Sequence, residues 1–101
     1  MNGMVIIKVG ADWCKPCVEL SKTYYTEVVD KFKSFTNVNF KTFDVSDLTS
    51  SQKEKLAYWG VTLLPSIVIM VDGIPKHVIQ SSDTSTLVEF ISNKIRKYMN
   101  N

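Results

Sequence analysis

Two short stretches of this chain are apolar at consecutive rather than alternating positions: Met4 to Val9, broken only by Lys8, and Ser66 to Val71. A strand with Val and Ile at successive positions carries hydrophobic side chains on both faces, so both faces have to be covered. That requirement calls for a sheet with other elements packed on each side. The sequence around the two runs supplies them, because helical patterns alternate with strands along the chain.

From about Lys15 to Phe35 the pattern reads as one long helix, with Tyr25, Val28, Val29, Phe32 and Phe35 at helical spacing and Glu19, Lys22, Glu27, Lys31 and Lys33 on the remainder. Val38 to Asp44 returns to strand character, with Val38, Phe40 and Thr42 on one side. Thr49 to Tyr58 reads as a short helix, started by a Ser/Thr cap and ended by Gly60. Asp72-Gly73 is the strongest hairpin signal, with Lys76 to Gln80 as the returning strand. Asp83 or Thr86 caps a last helix carrying Leu87, Val88, Phe90, Ile91, Ile95 and Tyr98, and Thr86 with Glu89 fits a capping box. The expected fold class is α/β in the order β-α-β-α-β-β-α. Its mixed sheet has about four strands flanked by helices, with a parallel first β-α-β unit and an antiparallel final hairpin. Residues 1–101 are expected to form a single domain.

The composition excludes several alternatives. With 45 % hydrophobic and 22 % charged residues the chain is too apolar for intrinsic disorder, and two cysteines cannot make a disulfide-dense scaffold. A net charge of +2 gives no argument for nucleic acid, and the longest apolar run, Ile67 to Val71, is far short of a membrane span. The first residues lack the basic start and long apolar stretch of a secretory signal, so the expected location is cytoplasmic. In that reducing compartment two neighbouring cysteines point to reactive or metal-binding thiols.

Cys14 and Cys17 lie where a buried strand hands over to a helix. At i and i+3 they share one side of the first turn, close enough to close a small disulfide ring. Pro16 falls near the first helical position, where its missing N–H costs nothing. Unpaired N–H groups at the helix start favour a thiolate at Cys14, and Lys15 adds a screened contribution of the same sign. Cys17, one turn inside, is expected to be more buried and closer to an ordinary thiol. This asymmetry assigns attack on a substrate disulfide to Cys14 and resolution of the mixed disulfide to Cys17. A zinc site needs more ligands than this pair, and His77 is the one histidine of the chain.

Trp13-Cys14-Lys15-Pro16-Cys17 resembles the Trp-Cys-Gly-Pro-Cys of the thioredoxin family. Gly60-Val61-Thr62-Leu63-Leu64-Pro65 is similar to the family segment that ends in a cis-proline facing the cysteines, and Val71-Asp72-Gly73 to its next hairpin turn. The three stand in the family's order and spacing, and the resemblance covers Met4 to Tyr98. It implies a thioredoxin-like fold and reduction of protein disulfides through a reversible Cys14–Cys17 disulfide, with no other bound cofactor and no metal. It also implies that Trp13, Lys15, Pro16, Leu63, Leu64 and Pro65 bind substrate. In that arrangement Leu64 offers main-chain hydrogen bonds, and Trp13, Leu63 and Pro65 form an apolar collar round Cys14. The implied partners are disulfide-containing proteins and an electron donor, either a flavoprotein thioredoxin reductase or glutathione. Neither nucleic acid nor membrane is implied, and the expected state is a monomer.

The chain departs from the family pattern at Lys8, where many thioredoxins carry a buried Asp. It departs again at Lys22, in place of a helix-kinking proline, which implies a straighter helix, and at Ser81, in place of a groove glycine. It also lacks the family's extra amino-terminal strand and helix. A lysine at position 8 favours thiolates but cannot accept a proton until it is itself deprotonated. Lys15 shifts the pair toward oxidation, whereas a cytosolic setting favours a reductant, and the reductase is the preferred direction. Two alternatives stand beside it. One is a glutaredoxin-like, glutathione-dependent reductase, less well matched because Trp13 is the thioredoxin form. The other is a non-catalytic binding module that uses Trp13, Leu63 and Leu64 as a contact surface. Of the remaining residues, His77 and Asp12 are expected at the surface, Tyr58 and Trp59 against the core, and Lys94, Arg96 and Lys97 at the last helix's carboxyl end.

Overall fold

In the computed structural model, which describes residues 3–99, β1 (Met4–Gly10) runs through the interior of a four-stranded sheet. On one side lies β2 (Val38–Asp44), parallel and in register from Met4 against Val38 to Gly10 against Asp44. On the other lies β3 (Ser66–Val71), antiparallel from Met4 against Val71 to Val9 against Ser66. β4 (Ile74–Gln80) closes the second edge as an antiparallel hairpin with an irregularity at Ile69/Met70. The two continuous apolar runs are thus the two interior strands, as their two-sided hydrophobicity requires.

The alternation of each interior strand feeds two separate cores. Met4, Ile6, Ile67, Ile69 and Val71 pack against Leu20 and Tyr24 of α1 (Lys15–Glu27) and Leu87, Ile91 and Ile95 of α3 (Thr84–Met99). Ile7, Val9 and Val68 point the other way, onto Leu56 of α2 (Ser50–Tyr58) and the half-buried Trp59. No helix among the described residues is long and apolar enough to cross a membrane.

Several boundaries differ from the sequence expectation. The helix expected as far as Phe35 stops at Glu27: Val28 is its C-cap, with φ widened to −119° and its N–H still donating to Tyr24 O, and a 3-10 turn follows over Val29–Phe32. Two successive β-branched residues, Val28 and Val29, weaken the helix there. The buried stripe is Leu20, Tyr24, Val28 and Phe32, while Tyr25 and Phe35 face solvent. α1 is uninterrupted across Lys22.

Thr49 caps α2 with a full capping box: Gln52 N donates to Thr49 Oγ1 at 3.2 Å and Thr49 N to Gln52 Oε1 at 2.8 Å. α3 has a single cap, Asp83, which accepts from Thr86 N at 2.9 Å and from Thr86 Oγ1 at 2.7 Å. Thr86 therefore lies inside the first turn as a donor to Asp83, and the Thr86/Glu89 capping box does not form. Arg96 and Lys97 do occupy the last turn of α3.

The Asp72-Gly73 turn has both residues in the left-handed region, at φ 51° and 82°, the geometry of a two-residue hairpin loop. Such a tight turn starts β4 at Ile74, two residues ahead of the expected Lys76. The turn is stitched to the start of β1, since Asp72 N donates to Gly3 O at 3.0 Å and Gly3 N to Asp72 Oδ1 at 3.1 Å. His77, expected at the surface, is half-buried, with Nε2 2.7 Å from Tyr98 OH. Tyr58 is exposed, so only Trp59 of the aromatic pair meets the core.

Candidate active site

The two cysteines sit where the central strand ends. Beyond Gly10 the chain turns at Ala11 to Trp13, with Cys14 N donating to Ala11 O at 3.2 Å, and then enters α1. Cys14 is the N-cap: its backbone is extended at φ −98° and ψ 110°, and its Sγ accepts from Cys17 N at 3.4 Å. Lys15 and Pro16 are the first helical residues, and the first turn holds no acidic side chain. The sulfur of Cys14 thus faces N–H groups at the positive end of the helix, with no carboxylate nearby in the turn to oppose a negative charge.

Cys14 and Cys17 form a disulfide with their Cα atoms 5.2 Å apart. Both are buried, at 8 % and 5 % exposure, so the expected contrast in burial is slight and the main difference is position along the helix. With Ala11 they make a small cluster against which Val45 and Leu64 pack. The Leu64–Pro65 peptide is cis, and Pro65 is buried at the start of β3. Ser66, also buried, donates its hydroxyl to Leu63 O and ties this segment to the strand.

The expected substrate-binding residues divide into two groups. Leu64 and Pro65 come together with the cysteines, the first in the cluster and the second beside Cys17 in a shared cavity. Trp13 and Leu63 are 71 % and 62 % exposed and extend into solvent, while Lys15 and Pro16 lie exposed on the first helical turn.

Behind Cys17 is a cavity of about 260 Å³ whose lining includes Lys8, Gly10, Ser21 and Pro65, with Asp12 and Asp44 among its other residues. Lys8 is buried, donates from Nζ to Ser21 Oγ at 2.8 Å, and lies 4.8 Å from the centre of the Tyr24 ring. Loss of hydration holds its pKa below the ordinary lysine value. Burial pushes the Tyr24 phenol up, and Tyr24 OH has no hydrogen-bond partner among the described residues. Asp44 accepts from Ser46 Oγ at 2.6 Å and Ser46 N at 2.8 Å, hydrogen bonds that lower its pKa, and Ser46 Oγ is also 3.3 Å from Asp12 Oδ1. A larger cavity, about 520 Å³, lies at the other end of the sheet among Phe35, Asn37, Ile95 and Met99, away from the cysteines. Among the described residues, no three His, Cys, Asp or Glu side chains gather as a metal site.

Sequence reasoning did not single out Gly10, Ser21 or Ser46. Two of these carried a usable signal: Ser21 follows Cys17 by one helical turn, and Gly10 follows Lys8 by one strand repeat, so each pair shares a face. Ser46, brought in by tertiary structure, had none.

The family model described as Thioredoxin matches residues 1–93. Thioredoxin Asp f 29 of Aspergillus fumigatus is 31 % identical over 72 residues, which are 71 % of this chain and 60 % of that protein, so the match spans less than two thirds of the relative. Among solved structures, the germline-specific thioredoxin Deadhead of Drosophila melanogaster superposes with a TM-score of 0.73 at 18 % identity, over 91 % of this chain and 81 % of its own. Thioredoxin f2, in a complex with ferredoxin:thioredoxin reductase, gives 0.69 at 16 % identity over 92 % and 78 %.

Proposed function

The chain belongs to the thioredoxin family, and from that premise we propose that it reduces disulfides in other proteins by cycling the Cys14–Cys17 pair. Family membership together with the close cysteine pair supports thiol–disulfide oxidoreductase chemistry in general. The observation that carries the finer reading is the position of Cys14 as N-cap of α1, its sulfur on a backbone N–H and Cys17 one turn behind it. A thiolate formed at Cys14 is the better attacking group, because the helix end favours its charge. It attacks one sulfur of the substrate disulfide, the other leaves as a thiolate that takes up a proton, and a Cys14–substrate bond remains. Cys17 then displaces the substrate and regenerates the Cys14–Cys17 disulfide.

The pair must be re-reduced, and a flavoprotein thioredoxin reductase or glutathione is the proposed donor, in a cytoplasmic setting and with a monomeric protein. The presence of thioredoxin f2 in a complex with a reductase supports a reductase partner of some kind. The cis segment at Leu64–Pro65 beside the cysteines, with exposed Leu63 and Trp13, supports capture of an extended substrate segment there. The same two exposed side chains suit a binding module whose thiols are idle, so the test must separate contact from chemistry.

The test is disulfide reduction in a protein substrate with dithiothreitol as donor. Cys14→Ser is expected to abolish turnover, and Cys17→Ser to accumulate mixed disulfides through Cys14. Unimpaired turnover by either variant rejects the reading. Biological activity retained by the double variant would establish the binding module instead. A midpoint potential near roughly −270 mV supports a reductant, and one near roughly −180 mV an oxidant or isomerase.

A further inference from the structure

A lysine inside a sheet loses hydration, and the loss is large unless its charge is paired or used. Lys8 is 7 % exposed, flanked in the sheet by Thr42 of β2 and Ile67 of β3. The ion pairs among the described residues are Lys22–Glu19 and Lys33–Asp30, both on the surface, so neither brings a carboxylate to Lys8. Its ammonium is instead held on the hydroxyl of Ser21 at 2.8 Å.

The packing of β1 on α1 fixes what this charge faces. Lys8 and Gly10 point to the same face of the strand, and Cys17 and Ser21 to the same face of the helix. Gly10 lies against Cys17, where an added Cβ would stand 3.4 Å from its Sγ, and Lys8 lies against Ser21. The two contacts are successive rungs between strand and helix, so Ser21, which holds the ammonium, lies one helical turn from Cys17 on the same face. Lys8, Gly10, Cys17 and Ser21 also line the 260 Å³ cavity, which has room for water. The other groups facing Lys8 are the neutral Tyr24 ring and, on the same cavity, Asp12 and Asp44, both directed to Ser46 Oγ.

We propose that Lys8 is a positioning residue for the redox pair: its ammonium, held on Ser21, stabilises the thiolate of Cys17 in the reduced protein and prepares that residue to resolve the mixed disulfide. The inference rests on the redox reading above. In the step it assists, the Cys17 thiol gives its proton to cavity water and its electron pair forms the bond to Cys14 Sγ. The Cys14–substrate bond breaks, and the substrate sulfur leaves as a thiolate that takes a proton from solvent. Lys8 keeps its own proton throughout and acts through its charge. Since a thiolate belongs to the reduced form, the same charge moves the pair toward oxidising character. Burial alone lowers the Lys8 pKa by stripping its hydration, a cost that a thiolate formed nearby in the reduced protein offsets in part.

The experiment is a pH titration of Cys17 by thiolate ultraviolet absorbance in a Cys14→Ser background. Adding Lys8→Met, which keeps the bulk and removes the charge, is expected to raise the Cys17 pKa by about 1 pH unit, whereas Lys8→Arg leaves it near the Cys14→Ser value. Ser21→Ala, which releases the ammonium without removing it, is expected to raise it by less, and serves as the test should Lys8→Met fail to fold. An unchanged or lowered pKa in a folded Lys8→Met protein, or failing that in Ser21→Ala, overturns the proposal. In the otherwise unaltered protein, Lys8→Met is expected to slow mixed-disulfide resolution about threefold near neutral pH, the tenfold loss of thiolate being partly offset by its greater nucleophilicity. Failure of the unaltered protein to exchange disulfides would remove the redox reading, while the Cys17 titration would still report the charge of Lys8. Normal exchange with an unmoved titration would remove the role of Lys8 alone.

Discussion

The end of the central strand touches the redox helix without a side chain between them: a Cβ added to Gly10 would stand 3.3 Å from Cys17 Cβ and 3.4 Å from its Sγ. Contacts that short require the neighbour to shift by a few tenths of an ångström. Cys17 is bonded to Cys14 and anchored in the first helical turn, so it has little freedom to move.

Gly10→Ala is therefore expected to destabilise the oxidised protein by about 1 kcal/mol, overpacking outweighing the smaller gain from a less flexible unfolded chain. Urea unfolding of the oxidised and reduced forms checks this. The loss is expected to be smaller in the reduced form, where the two sulfurs separate.

Trp13 and Leu63 contribute little to the fold at 71 % and 62 % exposure. Trp13→Ala is expected to change stability by less than about 0.5 kcal/mol. If the side chain grips protein substrates, the same change raises KM severalfold for a disulfide-containing protein and leaves turnover of a small-molecule disulfide near its original rate. Steady-state kinetics with both substrates distinguish this from a general loss of activity.

His77 has a pKa below the usual histidine value, held down first by burial and then by Lys94, Lys97 and Lys76. The folded state thus binds fewer protons than the unfolded state between that lowered value and the ordinary 6.5. Stability is expected to fall as pH drops through this window and to level off below it. His77→Gln, able to keep a hydrogen bond to Tyr98 OH, is expected to remove that loss, as read by urea midpoints between about pH 7 and about pH 5.

Lys8 and Tyr24 set opposite alkaline limits. The folded pKa of Lys8 lies below its ordinary 10.5, so the oxidised protein gains stability as pH rises from that lowered value toward 10.5. Tyr24, held above its ordinary 10.0, withdraws stability once an unfolded tyrosine would ionise. The expected profile rises and then turns over. Lys8→Met removes the rise, keeps the fall, and stabilises the protein at neutral pH by about 1 kcal/mol.

Strand and turn signals were legible because they are local. Ser66–Val71 and Val38–Asp44 match their expected limits, and Asp72-Gly73 forms the turn its residue types favour. The cysteine pair, Pro16 and the segment to Pro65 were also legible, since motif and spacing mark them. What the sequence concealed depends on competition between partners. Tyr24 and Tyr25 are equally apolar, and only the direction of α1 over the sheet decides which is buried. Asp83 and Thr86 both suit a cap, and the carboxylate, able to accept several donors at once, takes it. Lys8 stood out against the family pattern, but its hold on Ser21 exists only where strand and helix meet.

The stitch between Gly3 and the Asp72-Gly73 turn closes the sheet at the start of β1, and the cysteines follow its end. A strand of seven residues separates the two by roughly 20 Å. The hairpin tip is exposed, and a Cβ added at Gly73 would meet nothing within 4 Å. A molecule tethered to a sensor surface through that tip would stand with the cysteine-bearing end of its sheet toward solution, unobstructed by the attachment.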